Sequence, residues 1–121
     1  LRLNSNFIQL QCQFDKEILQ KEVLMLPKSA WSTHPQGFVG NSALALIARN
    51  GDSKDDSTFG TMMATQWLEK LPYIKAVLAT FKVPLGRTRL MRIKGDSQVP
   101  SHTDLDYYWQ SRMRIHVPIL T

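Results

Sequence analysis

Cysteine is nearly absent from the 121-residue chain. Cys12 stands alone, so no internal disulfide can form, and the residue reads as a small buried apolar side chain rather than a nucleophile. Nowhere do eighteen apolar residues run together, which removes a helical membrane span from consideration. No basic-then-apolar leader is read at the start, and the expectation is a soluble, cytoplasmic protein. Internal repeats, heptads and low-complexity tracts are also missing, which excludes solenoids and coiled coils. What is present suits one compact domain over residues 1–121: 43% hydrophobic and 9% aromatic residues, enough for a core without a structural metal. The chain opens on Leu1 and stops at Thr121 directly after the apolar Val117–Leu120, so both ends are expected to be cut points in a longer protein.

Charge is unevenly placed. Residues 1–60 carry six basic and six acidic side chains, whereas residues 61–121 carry nine and four, so the net +5 lies in the second half. Five of those nine are Arg87, Arg89, Arg92, Arg112 and Arg114. A guanidinium fork matches carboxylate or phosphate, and an Arg-rich half points to an anionic ligand. Nucleic acid fits less well, because these arginines alternate with apolar residues in short strand-like runs and form no helical basic stripe.

Periodicity orders the chain. Residues 7–14 alternate as a strand with one wet face. Asp15 caps a helix running from Lys16 to Leu26, with Ile18, Leu19, Val23 and Leu26 on one side and Pro27 as its stop. Residues 29–41 read as an irregular loop, and Ala43–Ala48 as a buried strand. The polar run Asn50–Thr61 is a loop that connects or covers. Met62–Leu71 and Pro72–Phe81 are predicted as consecutive helices, the second because Ile74, Val77, Leu78 and Phe81 recur at helical spacing behind Pro72. Trp67, Met62 and Met63 are expected to fill the core against it. From residue 88 the period falls to two, predicting strands over 88–94 and 112–120 and a shorter one near 99–103.

His102, Thr103 and Asp104 give the sharpest chemical signal. On a strand, residues i and i+2 share a face, so imidazole and carboxylate can grip one metal ion, although a facial triad needs a third ligand. On the strand from Met113 to Leu120, Met113, Ile115, Val117 and Ile119 form an apolar face and Arg114 and His116 share the other, pointing either into water or into a polar cavity. His116 as the third ligand is disfavoured by the charge of Arg114 beside it. His34 reads as a surface residue, and Asp106–Trp109 as either a flap over a site or a plain surface loop. Arg89 and Arg92, at odd spacing, face opposite sides, so at most one looks into a site.

Five features occur in order over residues 71–121: Pro72-Tyr73-Ile74 at a helix start, the Arg89-Leu90-x-Arg92 strand, a turn at Gly95, His102-x-Asp104, and Arg114-x-His116-Val117-Pro118. In this arrangement the segment resembles the aspartyl/asparaginyl β-hydroxylase family of Fe(II)- and 2-oxoglutarate-dependent oxygenases, which includes members acting on free amino acids such as proline 3-hydroxylase. The resemblance implies an α+β fold, a double-stranded β-helix of jelly-roll or cupin-like type with supporting helices, truncated before its last strands. Residues 1–87 would be helical and strand support, and 88–121 the first metal-site strands. His102 and Asp104 match the proximal iron ligands; Arg114 and His116 match the strand lining the cosubstrate and substrate pocket. The resemblance further implies Fe(II) and 2-oxoglutarate as cofactors, and hydroxylation of an amino acid or an Asp/Asn-type side chain coupled to succinate formation. The distal His and the Arg that anchors 2-oxoglutarate would lie beyond Thr121, so residues 1–121 are expected to be an inactive N-terminal part.

Two other readings stand beside the oxygenase. A non-catalytic module could hold an anion in an Arg-lined pocket, and, in third place, a nucleic-acid binder could use the basic half directly. The expected partner is a small molecule or peptide bearing a carboxylate. A sheet edge left open after Ile119 could also pair with a second copy to make a homodimer.

Overall fold

A computed structural model describes residues 13–33, 41–93 and 115–119. Helix α1 (Lys16–Leu24) begins where its cap predicts: the Asp15 carboxylate accepts from the backbone N–H of Glu17 at 3.0 Å and of Ile18 at 3.2 Å. Leu19 is buried and Val23 and Leu26 pack against the core, but Ile18, grouped with them by periodicity, is exposed. Helix α2 (Pro72–Thr80) starts with Pro72 in its first turn, as predicted, yet its own N-cap residue Leu71 offers no side-chain acceptor. Glu22 of α1 supplies it, one carboxylate oxygen taking the Tyr73 N–H at 2.7 Å and the other the Ile74 N–H at 2.9 Å. In return the Tyr73 hydroxyl accepts the Asp15 N–H at 2.7 Å. The two helices therefore complete each other's first turns.

Four strands, β1 (Ser32–Thr33), β2 (Asn41–Arg49), β3 (Met62–Ala64) and β4 (Thr88–Ile93), form one antiparallel sheet around β2. β4 runs along one edge of β2, from Asn41↔Ile93 to Ile47↔Thr88, with an irregularity between Ala45 and Ile47. Ile47 also pairs with Ala64, which puts β3 on the opposite edge; β1 shares that edge further along, at Ser42 and Ala43. Thr65 closes the gap between β1 and β3, its N–H donating to Leu46 O at 2.9 Å and its hydroxyl to Ala45 O at 2.7 Å. The chain reverses after β2 through Asn50 (φ 57°) and Gly51 (φ 72°), two left-handed residues in succession, and the Asn50 N–H meets Thr61 O at 2.7 Å. A Cβ on Gly51 would stand 2.9 Å from Ala64 O, so close approach as well as dihedral demands glycine there.

Leu44, Leu46 and Leu90 on one sheet face join Leu19, Ala30, Leu68, Leu71, Ile74 and Val77 in a single buried cluster. The other face of β2 is partly buried, with Ala43 covered and Ala45 and Ile47 half-buried, which fits its unbroken apolar run. Phe14 meets Phe81 edge-to-face at 6.1 Å, tying the start of α1 to the end of α2. Among the described residues, no helix is long and apolar enough to cross a membrane.

Several expectations are corrected here. The double-stranded β-helix is not formed: a jelly roll needs two facing sheets that close on each other, whereas the described residues make a single open sheet whose core face is covered by helices. Met62–Leu71 is not a helix. Its first residues pair with Ile47–Arg49 because the Asn50-Gly51 reversal delivers them there, and only Leu68–Lys70 turn, as a short 3-10 segment. Met63 is accordingly exposed rather than core. Residues 115–119 keep the predicted alternation, Ile115, Val117 and Ile119 half-buried and His116 and Pro118 exposed, but pair with no strand among the described residues. Val117 and Ile119 pack against the core instead, and Gln20 Nε2 donates to Ile119 O at 2.9 Å. The strands expected at 7–14, up to its last two residues, and at 99–103 lie outside the described residues.

Candidate anion-binding groove

Small side chains create the site. At Ala43 and Ala45, on the sheet face away from the leucine cluster, β2 leaves a hollow beside β4, and Ala45 pairs directly with Arg89. The resulting groove holds about 550 Å³. Ser32, Ala43 and Ala45 line it from the sheet; Ser53 to Asp56 come from the loop after β2; Gln66 and Trp67 come from the segment after β3; Arg87 immediately precedes β4 and Arg89 lies at its start. A second recess of about 380 Å³, between residues 58–62 and 84–86, has no charged side chain in its lining among the described residues.

Three cations, Lys54, Arg87 and Arg89, face two carboxylates in the groove. Asp55 is neutralised from outside the lining: Arg49 Nε lies 2.7 Å from its Oδ2, while the Ser57 N–H donates to Oδ1 at 2.9 Å. Hydrogen bonds from the Ser57 hydroxyl and N–H, followed by the Arg49 interaction, hold the Asp55 pKa down from 3.8 to about 2. Asp56 bridges the arginine pair. Its Oδ1 accepts from Arg87 Nη1 at 2.9 Å and from Arg89 Nη1 at 3.2 Å, and its backbone carbonyl accepts from Arg87 Nη1 at 2.7 Å. The arginine side chains are only 13% and 21% exposed and the Asp56 side chain 43%, so the guanidiniums are the inner partners and the carboxylate the outer one.

Arg92 confirms the parity argument. It lies on the other face of β4, 4.6 Å from the Trp31 ring, with its Nε 3.2 Å from Ser42 Oγ. Lys70 sits 5.0 Å from the ring of Trp67, which is half-buried against the core and also lines the groove.

The predicted metal residues His102 and Asp104, the predicted cosubstrate residue Arg114, and Arg112, His34 and Asp106–Trp109 lie outside the described residues. His116 is described, and it is exposed. Among the described residues no three His, Cys, Asp or Glu side chains converge as a metal-holding group. No protein-family model, no curated protein and no solved structure matches the chain. The likeness of residues 71–121 to the β-hydroxylases therefore carries no assignment. An Fe(II)/2-oxoglutarate hydroxylase builds its site inside a closed β-helix, and the open sheet of the described residues offers no such interior; the oxygenase activity and both its cofactors are corrected on that ground.

Sequence reasoning found the arginines as a class but missed their carboxylate partner. Asp55 and Asp56 sit in a polar run read as connection or cover. The signal was Asn50-Gly51: a reversal at that point folds the acidic run back toward β2, and hence toward the strand paired with it.

Proposed function

We propose that this chain is a non-catalytic, cytoplasmic anion-binding module whose site is the groove between β4 and the loop following β2. The observation that carries the reading is the convergence of the Arg87 and Arg89 guanidiniums, both largely buried, over a floor of alanines. A guanidinium drawn largely out of water favours a hydrogen-bonded anion as its partner, and the groove has room for a ligand body beyond the charged group. Ser32, Ser53 and Gln66 add neutral donors and acceptors along the lining. A cytoplasmic setting agrees with the chain's lone cysteine, which reducing conditions keep as a thiol.

The test is calorimetric titration of the full chain with a panel of small carboxylates and oxyanions, repeated on Arg87→Gln and Arg89→Gln. A charge-assisted hydrogen bond contributes about 1.5–3 kcal/mol, so each variant is expected to lose about ten- to a hundredfold in affinity. Failure of every anion to bind saturably, or binding unchanged in both variants, overturns the reading.

A further inference from the structure

Asp56 occupies the anion's place. We infer that its carboxylate is a tethered competitor, and that the groove selects the dianion of a small phosphomonoester, which can displace it, over simple carboxylates, which cannot. This inference rests on the anion-binding reading of the groove.

Both guanidiniums share one oxygen of this carboxylate: Arg87 Nη1 and Arg89 Nη1 converge on Asp56 Oδ1. A carboxylate on a free ligand brings the same charge and the same planar pair of oxygens. It must compete with one already held on the loop, where a short tether corresponds to an effective concentration in the millimolar range or above. A phosphomonoester brings about −1.5 to −2 charges and three terminal oxygens, so each arginine can take an oxygen of its own. The tether survives displacement. Arg87 Nη1 also binds the Asp56 carbonyl at 2.7 Å, so the loop keeps an anchor to the β4 segment when the side chain turns away. The outward position of the carboxylate, more exposed than either guanidinium, leaves it a route into solvent.

The experiment titrates the full chain with inorganic phosphate, phenyl phosphate and acetate, comparing wild type with Asp56→Asn and Asp56→Ser, each checked for folding by circular dichroism. Removing an internal competitor raises apparent affinity by the reciprocal of the fraction of molecules in which the site is open. Both Asp56 variants are expected to bind phosphate about tenfold or more tightly than wild type, and to gain measurable acetate binding that wild type lacks. A readout independent of the variants is the Asp56 carboxyl ¹³C resonance in wild type, which should move on saturation with phosphate. Equal phosphate affinity in wild type and both variants, with loss in Arg87→Gln, overturns the tethered competitor and leaves the groove reading standing. Acetate binding wild type as tightly as phosphate overturns the ligand class alone. Absence of binding by all three probes to every form, with the carboxyl resonance unmoved, overturns the inference and the groove reading together.

Discussion

Thr65 shows how much of the sheet depends on one hydroxyl. It is 1% exposed, donates to Ala45 O at 2.7 Å, and accepts the Trp67 N–H at 3.3 Å, so it stands in for the strand pairing that neither β1 nor β3 supplies at the middle of β2. Thr65→Val keeps the shape and leaves a buried carbonyl with one partner fewer. Urea denaturation is expected to show a loss of about 1–3 kcal/mol, and Thr65→Ser a smaller one. Asp55 has a different signature, visible only in acid. Its folded pKa, about 2, lies below the ordinary value of 3.8, so its contribution is fully present above pH 4 and is lost as pH falls toward 2. In Asp55→Asn the decline in thermal midpoint over that window should be shallower than in wild type. An identical acid limb in the two proteins would mean that the Ser57 and Arg49 contacts do not persist in solution.

At the level of elements, the pairing of α1 with α2 is a capping arrangement between helices distant in sequence. Glu22 and Tyr73 are 51 residues apart, and α2 has no acceptor on its own N-cap residue. Glu22→Ala should cost about 1–2 kcal/mol, the usual value of a lost N-cap, and hydrogen exchange should quicken at the Tyr73 and Ile74 amides ahead of the rest of α2. Local rules gave α1, β2, α2 and β4 because each carries its own signal: Asp15 before a helical run, an apolar stretch at 43–48, Pro72 before Ile74 and Val77, and alternation after Thr88. β3 was illegible on the same terms. Met62, Met63 and Ala64 favour a helix in isolation, and only their place opposite Ile47–Arg49, set by the left-handed Asn50-Gly51 pair, makes them a strand. The Glu22 cap was equally hidden, since spacing along a chain does not report which helix end a distant carboxylate will meet.

Across the whole molecule, the described arginines of the second half occupy two environments at β4, and among the described residues one of them has the geometry of a ligand site. Arg92 stacks on Trp31, whereas Arg87 and Arg89 enter the groove. Composition could announce an anion; it could not say that the chain already supplies one in Asp56, because that contact joins positions 31 and 33 residues apart. The distinction between a local site and a diffuse basic surface can be measured through salt. A polyanion held by six to ten phosphate contacts loses about 10³–10⁵ in affinity between 50 and 200 mM salt, because each contact releases condensed counterions. A phosphomonoester held by two largely buried guanidiniums has few counterions to release and is screened less than exposed charges are. Phosphate affinity for the Asp56→Asn variant is therefore expected to fall by no more than about tenfold over that range, and a single-stranded oligonucleotide should neither compete for the groove nor bind in a manner sensitive to Arg87→Gln. A thousandfold loss for phosphate, or an oligonucleotide that binds tightly at low salt and depends on Arg87, would instead assign the arginines to a polyelectrolyte surface.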